Sequence, residues 1–206
     1  GERMNVGTIG SGIVVDRMIE AMSLTEGLNL YCVYSRTKER AMAFAEKHNV
    51  NCYYTDLDKM LLDDNIDIVY IASPNSLHYV QAKKALLARK HVICEKSFTP
   101  TLKECIELFE LAKENNVFIF EAITTIHLPN YALVKEHLKD CGDLKFVQCN
   151  FSQYSSRYEK YKNHEHTNIF DPAFNGGALM DINVYCIHFV TGIFGKPNSV
   201  SYIANR

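Results

Sequence analysis

The N-terminal stretch MNVGTIGSGIVVDRMIEAM, residues 4–22, constrains the fold of this chain more than any other part of the sequence. Its first residues, 5–9, predict a short buried strand, and the apolar spacing over 13–22 predicts a helix. Gly7, Gly10 and Gly12 crowd the turn between them. A strand that turns on glycines into a helix leaves backbone N–H groups free at the helix start. Those groups and the helix dipole hold an anion such as a pyrophosphate.

The turn matches the dinucleotide-binding fingerprint G-x-G-x-x-G only in part. Gly10 and Gly12 supply the first two glycines, whereas Val15 occupies the third position. By itself the pattern fits an ordinary buried strand-to-helix turn equally well. The second predicted strand ends about 20 residues further on, as the fingerprint requires. Dinucleotide binding is therefore the favoured interpretation.

Strands and helices alternate at short loop lengths as far as residue 120. Apolar runs predict strands at 5–9, 28–34, 51–54, 66–72, 91–94 and 117–120, with helices at 13–22, 38–47, 57–62, 77–88 and 101–115. The run at 66–72 does not alternate, which is typical of a parallel strand covered on both faces. We therefore predict an α/β fold with a doubly wound parallel sheet, and we expect Thr37 to cap the helix that follows it.

The rhythm changes after Glu121, which predicts a first domain over 1–122 and a second over 123–206. The second part predicts a helix at 128–139, a long alternating strand at 144–154 and a helix at 176–193, with another strand beginning at 199. A polar loop occupies 157–175. These elements do not make a closed domain, so we expect an open sheet that further chain or a partner covers.

Composition excludes several classes of partner. The chain has 206 residues, of which 47% are hydrophobic, and its 22 Lys and Arg against 24 Asp and Glu give a net charge of −2. This balance offers no basic surface for nucleic acid or an anionic membrane. We see no continuous apolar run that would span a bilayer and no signal peptide. Seven cysteines without a C-x-x-C pair indicate a reducing compartment, which predicts a cytoplasmic protein.

The end of the second predicted strand bears on the choice of nucleotide. Dinucleotide folds that prefer NAD place an acidic residue there, and that acid binds the ribose 2′-hydroxyl. This chain has Ser35 and Arg36 instead. A hydroxyl and a guanidinium favour NADP over NAD, and the alternative is a solvated arginine at a helix start.

Two groups of residues are candidates for catalysis. Lys96 follows an apolar strand directly and stands beside Glu95, where a partly buried amine can act on a neighbouring hydroxyl, although an exposed lysine is an equal alternative. Asp181, Tyr185 and His188 have the i, i+4 and i+7 spacing that places them on one helical face. That stripe suits proton transfer in a cleft that contains water. An equal alternative is that the three polar groups have their hydrogen bonds satisfied inside the core.

A metal site is not predicted. His164 and His166 alternate in a polar loop, and no third ligand follows at the spacing that metal sites require.

Five segments in order carry a resemblance to a known family. They are VGTIGSGIV at 6–14, VYSRT at 33–37, SPNSLHYVQAKKAL at 73–86, HVICEKSFT at 91–99 and GGALMDINVYCIHF at 176–189. Together they resemble the Gfo/Idh/MocA oxidoreductases, especially the glucose-fructose oxidoreductase and dihydrodiol dehydrogenase branches. The resemblance implies an N-terminal Rossmann domain and part of a C-terminal α+β domain for substrate binding and oligomerisation. Family members are longer, so this chain resembles a C-terminally truncated member.

The resemblance also implies roles for individual residues. Those implied to bind the cofactor are Gly10, Ser11, Gly12, Ile13, Ser35, Arg36, Ser73, Pro74, Asn75, His78, Glu95 and Lys96. Lys96 falls on the lysine of the family's E-K-P motif, with Ser97 in place of the proline. Asp181 and Tyr185 fall on the family's D-x-x-x-H/Y pair, with His188 one turn beyond.

The function implied is hydride transfer between NADP, or NAD, and a CH–OH or carbonyl carbon of a sugar, cyclitol or diol. Tyr185 is expected to take the hydroxyl proton, with Lys96 stabilising the developing alkoxide and Asp181 orienting the pair. The alternative is a non-catalytic, dinucleotide-sensing regulatory protein of the same fold. A homo-oligomer through the open sheet of the second domain is also expected.

Overall fold

The computed structural model describes residues 3–203, and the chain divides into two compact units. The first unit comprises the chain up to Ala122 together with Ala173–Asn175, and the second comprises Ile123–Pro172 and the chain from Gly176 onward. The outermost residues of the two predicted domains, 1–2 and 204–206, lie outside the described residues.

The first unit is built on a sheet of six parallel strands, as the sequence predicts. The strands are β1 (Met4–Ile9), β2 (Leu28–Tyr34), β3 (Cys52–Tyr54), β4 (Ile68–Ile71), β5 (His91–Glu95) and β6 (Ile119–Ala122). Their order across the sheet is β3-β2-β1-β4-β5-β6. The chain therefore winds outward in one direction through β2 and β3, and in the other through β4 to β6. The prediction of a doubly wound parallel sheet is confirmed.

Helices cover both faces of this sheet. They are α1 (Ile13–Ser23), α2 (Lys38–Lys47), α3 (Leu57–Leu61), α4 (Asn75–Leu87) and α5 (Leu102–Glu114). Successive residues of β4 belong to different cores: Ile68 packs with Met22 and Phe44 of α1 and α2. Val69 packs in the core on the opposite face of the sheet, which α3, α4 and α5 cover. Both faces of β4 are thus buried, which explains its uninterrupted apolar run.

Most elements of the first unit begin or end one or two residues from the predicted positions, and β6 and α4 show why. Strand β6 spans Ile119–Ala122 and not 117–120, because Ile119 is the residue that pairs with Val92 while Phe118 is 66% exposed. Helix α4 begins at the polar Asn75, directly after Pro74 at its N-cap, and not at the first apolar residue. Apolar periodicity therefore located both elements and misplaced their ends by one or two residues.

All the regular secondary structure in the described part of the second unit is helical. After a 3₁₀ turn (Thr124–His127) come α6 (Pro129–His137), a second 3₁₀ turn (Leu138–Cys141) and α7 (Tyr158–Lys162). A 3₁₀ turn at Asn168–Phe170 and another at Pro172–Phe174, whose last two residues belong to the first unit, come next in the chain. A π-helical turn (Leu179–Asn183) then leads into α8 (Val184–Phe194). The segment predicted as a plain polar loop, 157–175, thus contains α7.

The strands predicted at 144–154 and from 199 are wrong. Neither segment forms ladder hydrogen bonds within the part of the chain that the structure describes. Alternation of apolar residues predicts a strand only if another strand pairs with it. Here side chains from both faces of the predicted strand are exposed, since Phe146 is 78% and the adjacent Val147 is 42% accessible.

One helical run, Pro172–Phe194, is long and apolar enough to cross a membrane by length and composition, with a mean hydropathy of 1.4. The sequence expectation of no such stretch was therefore too strict. The regular helix within this run covers residues 178–194. At a rise of about 1.5 Å per residue it is shorter than the roughly 30 Å hydrocarbon core of a bilayer, and it carries Asp181.

Candidate active site

The turn after β1 can only be made by glycine at residue 10. Gly10 has φ of +115°, and a Cβ built there would lie 2.7 Å from the carbonyl oxygen of Ala72. Ala72 directly follows β4, so this is the point where β1 and β4 diverge to opposite halves of the sheet. Ligands of open α/β sheets bind at this switch point, beyond the carboxyl ends of the strands.

Helix α1 presents open amide groups to that crevice. Gly12 is its N-cap and has no side chain to cap the helix. The first intrahelical bonds are those from Val15 N and Asp16 N to Gly12 O, at 2.9 and 3.2 Å. The N–H groups of Ile13 and Val14 precede them and are left for a ligand. A Cβ at Gly12 would meet nothing within 4 Å, so the space in front of these amides is open.

The end of β2 presents a free cation. Ser35 is buried and its N–H donates to Tyr54 O at 3.2 Å, which fixes the backbone there. Arg36 is exposed, and in residues 3–203 no carboxylate or carbonyl pairs with its guanidinium. The capping prediction for Thr37 is wrong in part: it is the N-cap of α2, but its side chain makes no capping hydrogen bond.

The loop after β4 is held by side chains of α4. Ser73 Oγ donates to Gln81 Oε1 at 2.6 Å, and Asn75 Nδ2 donates to the Asn175 carbonyl at 3.1 Å within the same unit. Sequence reasoning missed Gln81. Its position i+8 from Ser73, on the buried side of a predicted helix, was the available signal.

His78 differs from its expected role. Its side chain is fully buried, with Nδ1 2.8 Å from Ser97 O and Nε2 2.9 Å from Ser73 O. Burial lowers the pKa of His78, and the two carbonyls partly oppose that shift. A residue implied to border the cofactor therefore has no exposed surface for one. It joins the loop after β4 to the loop after β5.

Glu95 is the last residue of β5, and Lys96 follows it. Tyr70 Oη donates to Glu95 Oε1 at 2.6 Å, and the other carboxylate oxygen accepts from the Lys96 N–H at 3.3 Å. Burial, followed by the bond to Glu95, raises the pKa of Tyr70. Lys96 is half-buried, and the Lys96–Ser97 peptide bond is cis. Sequence reasoning missed Tyr70, although a phenol inside a buried strand needs a partner.

The remaining candidates belong to the second unit. Asp181 lies in the π-helical turn, while Tyr185 and His188 lie in α8, and all three are half-buried. The predicted α-helical stripe is therefore wrong in detail, because the wider turn changes the direction of Asp181 relative to Tyr185. π-helical turns inside α-helices are frequent at functional sites. The Tyr185 ring packs against Phe151, with centroids 5.3 Å apart.

One histidine of the polar loop, His166, lies against a carboxylate. His166 Nε2 lies 2.7 Å from Asp171 Oδ2. No cluster of three metal-binding side chains occurs among residues 3–203.

Comparison with known families places both units. Residues 4–122 match the GFO/IDH/MocA family described as an oxidoreductase family with an NAD-binding Rossmann fold. Residues 131–206 match a GFO/IDH/MocA C-terminal domain.

Individual relatives agree with these matches. The chain is 42% identical over 192 residues to the NADP-dependent scyllo-inositol 2-dehydrogenase IolU of Bacillus subtilis, covering 93% of this chain and 58% of that protein. It is 28% identical to a trans-1,2-dihydrobenzene-1,2-diol dehydrogenase of Xenopus tropicalis, covering 95% of this chain and 58% of that protein. The chain thus spans under two thirds of the length of these relatives.

Solved structures show the same fold. KijD10, a 3-ketoreductase from Actinomadura kijaniata solved with NADP and TDP-benzene, superposes with a TM-score of 0.78 at 26% identity. The match covers 94% of this chain and 58% of that one.

Proposed function

Because the chain belongs to the Gfo/Idh/MocA oxidoreductase family, we propose that it binds NADP(H) and transfers a hydride to or from the CH–OH or carbonyl carbon of a polyol. The polyol is a sugar, a cyclitol or a diol, in keeping with the names of its relatives. The observation that carries the proposal is the open amide cradle at Gly12, placed at the switch point of the sheet.

The residues present fit a dinucleotide. A pyrophosphate needs backbone N–H donors, positive helix potential and no Cβ in its path. Ile13 and Val14 supply the donors, and Gly12 leaves the path open. Ser11 completes the turn. An ion at this position is stabilised by α1, which is long enough, at 11 residues, to carry a full dipole.

NADP is favoured over NAD by the charge at the end of β2. Arg36 has no protein partner in the described chain, and no acidic side chain replaces it at the ribose position. A guanidinium pairs bidentately with a phosphate, whereas a ribose hydroxyl gains little from it. The named NADP dependence of the B. subtilis relative agrees with this choice.

The chemistry divides between nucleotide and protein. The nucleotide supplies the hydride acceptor or donor when bound. In the oxidative direction the substrate also loses its hydroxyl proton, and we assign Tyr185, in its phenolate form, to accept that proton and become a neutral phenol. Lys96 contributes the positive charge that stabilises the developing alkoxide, and Asp181 orients the substrate hydroxyl toward Tyr185. A homo-oligomer stays a prediction, since the open sheet on which it depends is not formed by the described residues.

Turnover tests the proposal. The chain is incubated with NADP⁺ and a panel of polyols that begins with scyllo-inositol, and absorbance is followed at the reduced-nicotinamide band. We expect turnover, and we expect Lys96→Met to lower kcat at least about 100-fold with little change in nucleotide affinity. Lys103→Met removes an exposed lysine of α5 and is the matched control.

Two results would overturn the assignment. Near-normal turnover of Lys96→Met would remove the role of that lysine. Saturable nucleotide binding without turnover on any polyol would favour the dinucleotide-sensing regulatory protein.

A further inference from the structure

A cavity of about 420 Å³ lies inside the second unit. Its wall combines aromatic rings, aliphatic side chains, small polar groups and two opposite charges. The lining residues that matter here are Tyr154, Arg157, Tyr158, Phe170 and Asp181. Asp181 is the carboxylate that the proposed reaction uses, so the cavity adjoins the proposed chemistry.

The aromatic side of the cavity is held in place. The rings of Tyr154 and Tyr158 meet edge to face with centroids 5.5 Å apart. Tyr154 Oη donates to Glu159 at 2.8 Å, and Lys162 lies over the Tyr158 ring at 5.3 Å. Both rings keep exposed surface, 70% for Tyr154 and 41% for Tyr158. Fixed aromatic faces suit the C–H face of a carbohydrate ring.

Arg157 brings a positive charge to a cavity wall that also carries the carboxylate of Asp181. Glu159 is already neutralised, since Lys162 pairs with it at 2.8 Å. By contrast, the guanidinium of Arg157 contacts no carboxylate or carbonyl oxygen among the described residues. A guanidinium offers a planar fork of donors that matches the two oxygens of a carboxylate or phosphate.

We propose that this cavity binds an acidic carbohydrate, with the ring against Tyr154 and Tyr158 and its carboxylate or phosphate paired with Arg157. The inference rests on the proposed function, because it narrows the polyol substrate to one with an oxyanion substituent. A neutral polyol would leave the guanidinium to pair with hydroxyl oxygens, which are weaker acceptors.

The test compares substrates that differ in charge. Turnover of NADP⁺ is measured with scyllo-inositol, a hexuronate and a hexose phosphate, using the wild-type chain, Arg157→Gln and Arg157→Lys. We expect kcat/KM for an acidic sugar to exceed that for the neutral one by about tenfold or more. Arg157→Gln should abolish that preference by raising KM, and Arg157→Lys should restore part of it. A preference for the uronate or for the phosphate identifies the substituent, and either supports the proposal.

A matched control separates pairing from general charge. Lys160→Gln removes one positive charge from α7, whose N-cap is Arg157, without removing a residue that lines the cavity. It should leave the preference for acidic sugars intact. Equal kcat/KM for neutral and acidic sugars in the wild type, or a loss of preference equal in Lys160→Gln and Arg157→Gln, overturns the proposal.

Binding without turnover keeps the two proposals apart. The tyrosine fluorescence of the chain, which has no tryptophan, is titrated with a uronate and with a hexose phosphate in the absence of nucleotide. Arg157-dependent binding without turnover would uphold this site and refute the hydride transfer. Turnover that depends neither on the charge of the substrate nor on Arg157 would uphold the hydride transfer and refute this site.

Discussion

The pair Gly12→Ala and Gly10→Ala separates cofactor binding from folding. At Gly12 a Cβ meets no atom within 4 Å, and φ of −95° is open to any residue. The loss of folding stability is therefore confined to the poorer N-cap, below about 1 kcal/mol. The same methyl group adjoins the Ile13 amide and fills space that Gly12 leaves open for the pyrophosphate that we assign there. Losing one charge-assisted hydrogen bond costs about 1.5–3 kcal/mol, which is roughly a 10- to 150-fold rise in the Kd for NADPH.

Gly10→Ala, by contrast, should mainly lower the folding stability. Its Cβ would lie 2.7 Å from a backbone oxygen at a φ of +115°. Backbone strain of about 1–3 kcal/mol adds to a steric overlap of about 1–3 kcal/mol. Urea unfolding followed by circular dichroism should therefore show a large loss of stability for Gly10→Ala and a small one for Gly12→Ala.

The measurement is a fluorescence titration of each folded variant with NADPH. If Gly12→Ala binds NADPH as the wild type does, the amides of α1 do not hold the pyrophosphate.

Three further predictions follow from charges and buried groups. Arg36→Gln should raise the Kd for NADPH about tenfold or more and leave that for NADH unchanged, so equal effects on both nucleotides would refute the 2′-phosphate contact. Burial raises the pKa of Asp63, but hydrogen bonds from Tyr54 and Asn65 lower it by more, so that the pKa is about 2. The stability that Asp63 provides is complete above the unfolded pKa of about 3.9 and is lost as pH falls toward 2. Urea unfolding at a series of pH values should therefore show that the free energy of unfolding of Asp63→Asn changes less with pH between about 4 and 2 than that of the wild type. At neutral pH the variant should be less stable by about 1–2 kcal/mol. The pKa of buried His78 is lowered, so the unfolded chain binds the extra proton first and the free energy of unfolding should fall as pH drops below about 6.5. His78→Gln should remove that slope, and an unchanged slope would assign it to another group.

The fold of the first unit was accessible from sequence because its signals are local. The run over β4 is apolar at every position since both faces are covered, and the glycines near β1 mark a turn that only they can make. Residues such as Ile68 and Val69 read the same in sequence, yet they belong to two different cores. Which core each joins depends on helices far along the chain.

The second unit was less accessible because its structure depends on partners. The alternation at 144–154 is real in the sequence, but no described segment pairs with it. The π-helical turn at Leu179–Asn183 leaves no periodicity signal that distinguishes it from an α-helix. The same holds for the role of His78, whose burial between Ser73 and Ser97 depends on two loops meeting.

Transfer of an isotopic label tests the central claim most directly. NADP⁺ is incubated with the chain and scyllo-inositol deuterated at its ring carbons, and the reduced nucleotide is analysed by mass spectrometry. We predict that NADPH forms with deuterium on the nicotinamide ring, and that Tyr185→Phe binds the nucleotide normally but forms little of the labelled product. Nucleotide that binds tightly and stays unlabelled with every deuterated polyol, neutral or acidic, would contradict the assignment of this chain as a hydride-transferring enzyme.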